Sequence, residues 1–167
     1  DVYKRQGLAR NLGIGRADAQ AYIDAYFERF PQIRTYMDET IEFAKTNGYV
    51  ETLFGRRIHL KGIADKNGAV RGGAERQAIN APLQGAAADI IKRAMIRMPP
   101  ALTRHKLSAK MLLQVHDELL FEVPEGEVDA TIEAARDIME GAAAPAANLA
   151  VPLVADAGVG DNWNEAH

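Results

Sequence analysis

The stretch LLQVHDELLFEV, residues 112–123, interrupts an apolar, strand-like run with three polar groups that resist burial. If its two halves pair as antiparallel strands, His116, Asp117 and Glu118 lie at or beside the turn. Asp117 then projects from a rigid sheet end, where a carboxylate binds a hard divalent cation such as Mg²⁺. Glu118 points to the opposite side of the strand and is predicted to be a supporting group, while His116 offers a hydrogen bond to a phosphate or sugar oxygen. Taken alone, the triplet is explained more simply by a solvated turn.

A second pattern occurs in AERQAINAPLQGAAAD, where Arg76, Asn80 and Gln84 recur every four residues. This spacing places the three side chains along one helix face if Pro82 only bends the helix. All three carry N–H donors, and every base pair of DNA offers acceptors in its minor groove. The pattern therefore predicts contact with a duplex of any sequence. An ordinary solvated helix face remains the alternative.

The composition limits the class of protein. The 167 residues are 47% hydrophobic and 26% charged, which is typical of a folded, water-soluble domain or of a piece of a larger protein. Cysteine is absent, which excludes disulfides and thiolate metal sites. The most apolar tract, residues 142–154, is broken by Pro145 and Pro152 and cannot form a membrane-spanning helix. The polar opening DVYKRQ predicts no signal peptide.

Charge is divided unevenly along the chain. From Asp117 to the end, twelve acidic residues stand against one basic residue, Arg136, so this part carries a net charge of −11. The total is −3, and the front of the chain therefore carries +8. A basic front favours contact between a polyanion and one part of the surface. Two separate solvated faces would give the same division.

Hydrophobic spacing predicts the secondary structure. The predicted elements are helices at 16–47 interrupted at Pro31, a short hairpin turning at Gly55, a loop at 61–73, a helix at 74–98 ended by Pro99-Pro100, strands at 110–115 and 119–123, a helix at 125–140 and a strand at 151–160. From residue 74 onward the predicted elements follow the order helix, hairpin, helix and strand. This order predicts a sheet covered on one face by helices, which is an α+β fold.

Several motifs together are similar to one family. The segments ERQAINAPLQGAAADIIKRAM, MLLQVHDELLFEVP and GDNWNEAH resemble the C-terminal part of the bacterial family A DNA polymerases. GLARNLGI, AYFERFP and GYVETLFGRRIHL resemble the same family in the same order. The resemblance extends from Gly7 to His167. It implies a partial right-handed polymerase fold, with a helical fingers portion at 7–68 and a palm portion at 69–167 carrying an antiparallel sheet and covering helices. Residues 1–6 form a segment that does not match.

The resemblance also implies a function. Family A polymerases are DNA-directed DNA polymerases of replication and repair, which transfer a nucleotide from a deoxynucleoside triphosphate to a primer 3′-hydroxyl by a two-metal mechanism with Mg²⁺. The expected partners are primer–template duplex DNA and deoxynucleoside triphosphates, with no membrane, in the bacterial cytoplasm at the nucleoid. Asp117 matches a catalytic metal ligand and Glu118 its catalytic neighbour. His116, Arg76, Asn80 and Gln84 match residues that contact primer and template.

Two parts of the family pattern are absent. No DYSQIE-like segment supplies the first metal-binding aspartate, and DVYKRQ stands where the nucleotide-binding helix is expected to end. We therefore expect this chain alone to be inactive, although the longer enzyme would be active.

Three other functions remain open. The chain could be a duplex-DNA-binding module without catalysis that uses the basic front. It could be a metal-dependent nuclease in which Asp156 and Asp161 join Asp117. It could also be a protein-interaction domain, for which amphipathic helices suffice.

Overall fold

The computed structural model describes residues 2–166, with side chains from Gln6 onward. Its elements confirm the predicted α+β class, since helices accompany two small antiparallel sheets, β1–β2 and β3–β4. Among the helices of residues 2–166, none has the length and hydrophobicity that crossing a membrane requires. The elements are α1 Val2–Leu12, α2 Arg16–Arg29, α3 Pro31–Asn47, β1 Tyr49–Glu51, β2 Arg57–His59, α4 Gly68–Arg104, β3 Lys110–Val115, β4 Glu118–Glu122, α5 Val128–Glu140 after the 3₁₀ turn Glu125–Glu127, and α6 Trp163–Ala166.

The chain divides into two compact units. The first contains the residues up to Val50 together with His59–Ile79, and the second contains Glu51–Ile58 together with the chain from Asn80 onward. The division falls within α4. The boundary at residue 68 between a fingers and a palm portion stays a prediction. Of the segment 1–6, residue 1 lies outside the described residues, and residues 2–6 form the beginning of α1.

The first unit is built from helices whose ends follow local rules. Pro31 begins α3 as its first residue, a position that needs no N–H donor. Gly48 ends the same helix with a φ of +78°, and its N–H donates to the Ala44 carbonyl at 2.8 Å. The Tyr36 hydroxyl donates to the Ile79 carbonyl at 2.9 Å, and burial raises the pKa of Tyr36, so the donor keeps its proton.

Helix α4 is longer than predicted at both ends. It begins at Gly68 instead of Ala74, because the Asn67 side chain accepts a hydrogen bond from the Ala69 N–H at 2.9 Å and caps the helix. The prediction that Pro99-Pro100 ends the helix is wrong, since α4 continues to Arg104. Both prolines lie on the exposed face, so the carbonyls they leave unbonded can face water. Burial of the opposite face keeps this part of the helix continuous, through Met98, Ala101 and Leu102.

The β3–β4 hairpin carries the core of the second unit. Its strands pair antiparallel, with an irregularity between Met111 and Leu113. One face packs against the end of α4 and against α5, which confirms the predicted sheet with helices on one side. The buried centre consists of Met98, Leu102 and Ala109, surrounded by Leu107, Met111, Leu119, Phe121, Val123, Ala135, Ile138 and Met139.

Two arginines of α4 hold the chain that follows α5. Arg93 donates to the Ala142 carbonyl at 2.8 Å, and Arg97 donates to the Gly141 carbonyl at 2.9 Å. Both also donate to the Ala144 carbonyl. The accepting carbonyls all lie after Glu140, the last residue of α5, so the two guanidinium groups fix the turn that follows this helix.

The prediction of a strand at residues 151–160 is wrong, because this segment is irregular. A strand requires a neighbouring backbone, and here side chains of α5 bind the backbone instead. Arg136 donates to the Ala155 carbonyl at 3.0 Å, and Glu140 accepts from the Ala155 N–H at 3.0 Å. Val151 and Val154 remain exposed. The polar tail contains the short helix α6, and its last residue lies outside the described part.

Candidate functional site

The polar triplet lies at the tip of the β3–β4 hairpin. Val115 pairs with Glu118, so His116 and Asp117 form a two-residue turn, and Glu118 begins β4. All three side chains of the triplet are exposed. The amide of the Gln114 side chain donates to the His116 carbonyl and closes the turn from the β3 side. The predicted placement at a hairpin turn is confirmed.

The backbone of His116 is strained. Its φ is +52°, in the left-handed region, and among the described non-glycine residues only Lys106 shares a positive φ. A two-residue turn with positive φ at its first central position alone ordinarily has glycine there. A residue with a Cβ costs about 1–2 kcal/mol in this region. Such strain is often retained at functional sites, and here the surrounding hairpin holds an imidazole in a position that favours glycine.

The carboxylates at the tip do not form a complete metal site. Asp117 lies in the two-residue turn, and Glu118 is the first residue of β4. In the part of the chain that the structure describes, no group of three His, Cys, Asp or Glu side chains is placed to hold a metal ion. A two-metal centre needs several converging oxygen ligands. The described residues therefore do not fit two ions by themselves, and Asp117 supplies at most one carboxylate of such a centre.

The second predicted group lies along α4. Arg76, Asn80 and Gln84 are exposed, and the helix continues through Pro82, so their spacing of four residues keeps them on one face. Ala74 and Ala78 are buried on the opposite side and fix which face is turned outward. The helix face and the hairpin tip are thus two groups of exposed polar side chains on two different elements.

A polar cluster that the sequence did not reveal fixes the β1–β2 hairpin to α4. The Thr52 hydroxyl is buried and donates to Asp89 Oδ2 at 2.9 Å, while it accepts the N–H groups of Phe54 and Arg56. The Arg56 guanidinium lies 2.9 Å from Asp89 Oδ1 and donates to the Gly85 carbonyl at 2.7 Å. Each polar group near the contact therefore has a partner, which limits the cost of burying it.

Residue 85 has to be glycine because the contact with the β1–β2 hairpin leaves no room for a Cβ. A Cβ built on Gly85 would lie 2.5 Å from Thr52 Cγ2 and 3.4 Å from Ile58 Cδ1. Glycine within a helix is unfavourable unless another backbone approaches closely, as the β1–β2 hairpin does here. In the sequence, this contact is indicated only by Gly85, since a glycine inside a helix is typical of a place where another backbone approaches closely. The partner residues stand too far along the chain for local spacing to identify them.

Comparison with known proteins defines the family. The profile of DNA polymerase family A matches residues 2–165, so the chain belongs to this family. DNA polymerase I of Pseudomonas aeruginosa is 54% identical over 161 residues, which cover 96% of this chain and 17% of that protein. DNA polymerase I of Streptococcus pneumoniae is 52% identical over 96% of this chain and 18% of its own length.

A solved structure confirms the predicted partial polymerase fold. The POL domain of Pol1 from M. smegmatis, in complex with DNA primer-template and dNTP, matches with a TM-score of 0.90 and 42% identity. The match covers 98% of this chain and 28% of that one. The chain thus spans less than a fifth of the curated relatives described above. Metal dependence is general in the family. In residues 2–166, however, no group of three His, Cys, Asp or Glu side chains is placed to hold a metal ion.

Proposed function

We propose that this chain supplies part of a DNA-directed DNA polymerase, which transfers a nucleotide from a deoxynucleoside triphosphate to a primer 3′-hydroxyl. The observation that carries the proposal is the exposed Asp117 on a strained two-residue turn, in a chain of DNA polymerase family A. The POL domain of Pol1 from M. smegmatis is in complex with DNA primer-template and dNTP, which supports a primer and a deoxynucleoside triphosphate as the substrates. The enzyme would act in replication and repair of DNA in the bacterial cytoplasm, at the nucleoid. Residues 7–68 would belong to the fingers and residues 69–167 to the palm.

The exposed face of α4 would bind the duplex. Arg76, Asn80 and Gln84 would donate hydrogen bonds to minor-groove acceptors, which every base pair presents. Such donors detect the geometry of a pair and disregard its identity. His116 would donate to a phosphate or sugar oxygen near the primer end, because the strained turn holds its imidazole outward.

Asp117 would contribute one carboxylate to a centre for two Mg²⁺ ions, with Glu118 as a supporting group. The ions of such a centre lower the pKa of a bound oxygen and neutralise charge on phosphates. The remaining ligands would come from residues that this chain does not contain. For the same reason the chain alone would not extend a primer. Template-directed extension by the purified chain with Mg²⁺ would contradict this expectation.

The proposed function is tested by grafting this chain into a related DNA polymerase. Residues 2–166 would replace the corresponding segment of DNA polymerase I from Pseudomonas aeruginosa, which is 54% identical. The chimera is expected to extend primers, and Asp117→Asn in the chimera is expected to lower turnover by at least about 100-fold, or roughly 3 kcal/mol. Duplex affinity should change by no more than a few-fold, because a metal ligand acts mainly on the chemical step.

Asp129→Asn in the same chimera is the matched control, since it removes an exposed carboxylate from α5. It should leave turnover unchanged. Turnover of the Asp117→Asn chimera within a few-fold of the unmodified chimera would show that Asp117 is no metal ligand. Failure of the unmodified chimera to extend primers would contradict the proposed function itself.

The alternatives gain no support from the described geometry. A nuclease would need Asp156 and Asp161 close to Asp117, and residues 2–166 contain no cluster of three such side chains that could hold a metal. A DNA-binding module without catalysis would not explain why the strained backbone of His116 is retained. Release of nucleotides from labelled DNA by the chain would favour the nuclease.

A further inference from the structure

The stretch of α4 that carries Gln84 contains two residues that weaken a helix. Pro82 has no N–H, so the Ala78 carbonyl lacks its usual helical donor. Gly85 is unfavourable in a helix interior, because its backbone loses more conformational freedom on folding than that of any other residue. Gln84 lies between these two residues, and its side chain is exposed. The direction of this side chain therefore depends on a part of the helix that is intrinsically weak.

The β1–β2 hairpin supports this stretch from outside the helix. The Arg56 guanidinium donates to the Gly85 carbonyl at 2.7 Å and lies 2.9 Å from Asp89 Oδ1. The Thr52 hydroxyl donates to Asp89 Oδ2 at 2.9 Å, so both oxygens of this carboxylate have a partner. All four residues belong to the second compact unit. Two side chains of the hairpin thus bind α4 along the turn that directly follows Gln84.

These contacts fix geometry more than they add stability. The Arg56 side chain is 51% exposed, and an ion pair with an exposed partner contributes little because solvent screens it. The Thr52 hydroxyl, in contrast, is buried and makes three hydrogen bonds. It donates to Asp89 and accepts the N–H groups of Phe54 and Arg56. One hydroxyl therefore fixes both the turn of the hairpin and the carboxylate of α4.

We propose that Thr52 and Asp89 are positioning residues for Gln84, which they direct toward the duplex by holding the β1–β2 hairpin against α4. This inference rests on the proposed function, in which Gln84 donates to a minor-groove acceptor. Neither positioning residue touches DNA, because Thr52 is buried and a carboxylate repels phosphates. Both act through the backbone of residues 84 and 85. Gly85 completes the arrangement, since the absence of a Cβ lets the Thr52 methyl group approach.

The test uses the chimera described above and measures its affinity for a fluorescent primer–template duplex by anisotropy. Gln84→Ala should weaken binding roughly fivefold, the factor that corresponds to one hydrogen bond. Asp89→Asn should weaken binding by a similar factor. Charge alone predicts the opposite sign, because removing a negative charge favours binding to a polyanion. A lower affinity of the Asp89→Asn chimera is therefore not an effect of charge.

The double variant Gln84→Ala/Asp89→Asn separates positioning from general structural damage. It should bind the duplex within about twofold of Gln84→Ala alone, because residue 84 then has no donor left to direct. Independent damage by Asp89→Asn would instead multiply the two effects, to a loss of about 25-fold. That result would overturn the proposal.

Two substitutions of Thr52 provide a second, independent measurement. Thr52→Val removes the hydroxyl and keeps the branched shape, so it should weaken duplex binding roughly fivefold. Thr52→Ser keeps the hydroxyl and should bind within about twofold of the unmodified chimera. Equal weakening by both substitutions would assign the effect to packing of the methyl group and would contradict the positioning role. Thermal unfolding of each variant verifies that it is folded at the temperature of the measurement.

Glu51→Gln is the matched control, because it removes a carboxylate of the same hairpin that pairs with Arg57 at 2.7 Å, within the hairpin. It should leave duplex affinity within about twofold of the unmodified chimera. The outcomes also separate this inference from the proposed function. Unchanged affinity of Gln84→Ala would contradict the proposed duplex-binding face of α4. Weaker binding by Gln84→Ala together with unchanged affinity of Asp89→Asn would overturn the positioning role alone.

Discussion

At the scale of single residues, the backbone conformation of His116 is energetically unfavourable, and the proposed function explains why it is retained. Its φ of +52° places a bulky residue where glycine is ordinarily found, and nothing in the core requires an imidazole, because the side chain is exposed. The strain is therefore explained by function more readily than by stability. Asp117, the next residue, is held at the same tip and shares the same rigid support from β3 and β4.

The conformation of His116 can be tested by comparing two substitutions. His116→Gly and His116→Ala both remove the imidazole, so their difference reports the backbone alone. The glycine variant should have the larger free energy of unfolding, by about 1 kcal/mol, because glycine adopts positive φ without a Cβ clash. Equilibrium urea unfolding measures the difference. An alanine variant as stable as the glycine variant would show that residue 116 does not hold this conformation.

At the scale of elements, the β1–β2 hairpin is positioned by its contact with α4. Thr52 is buried, and its hydroxyl binds Asp89, while Arg56 reaches the Gly85 carbonyl one turn earlier in the helix. Gly85 directly follows Gln84, which belongs to the proposed duplex-binding face. The contact therefore ties the hairpin to the helix immediately beside that face.

Gly85→Ala is expected to destabilise the chain by about 1–3 kcal/mol, since the new Cβ would overlap the Thr52 methyl group. This reverses the usual gain of up to about 1 kcal/mol for glycine to alanine in a helix. Thr52→Ser removes that methyl group and keeps the hydroxyl, so it should rescue much of the loss. A double-mutant cycle of thermal or urea unfolding measures the coupling.

Gly72→Ala is the matched control within the same helix. A Cβ there would lie 3.7 Å from an Arg76 nitrogen, which is an ordinary contact distance, so the substitution should stabilise α4. Similar effects of the Gly85 and Gly72 substitutions would contradict the close contact.

At the scale of the whole molecule, apolar surface remains uncovered. In residues 2–166, the β3–β4 sheet has only two strands, so each strand has one open edge. Leu112 and Leu113 of β3 are exposed, and Leu113 borders a small hollow with Leu120 and Trp163. Open strand edges flanked by apolar side chains pair with other chains.

The purified chain is accordingly expected to self-associate reversibly in the micromolar to millimolar range. Leu113→Lys should weaken this association, because a charge on a strand edge opposes edge-to-edge pairing. Ile96→Lys, which places the same charge at an exposed site of α4, should have less effect. Sedimentation velocity at several concentrations measures both. A chain that stays monomeric throughout would contradict the prediction.

The sequence by itself determined the local features. The hairpin with its polar tip, the αL stop at Gly48 and the helical spacing of Arg76, Asn80 and Gln84 depend on residues only a few positions apart, and such patterns are visible in sequence. Only the tertiary structure decided that α4 passes through Pro99-Pro100, because burial of Met98 and Leu102 on the other face outweighs the lost hydrogen bonds. It likewise decided that residues 151–160 form no strand and that Thr52 meets Asp89. Those outcomes depend on which distant groups come into contact, and local spacing does not contain that information.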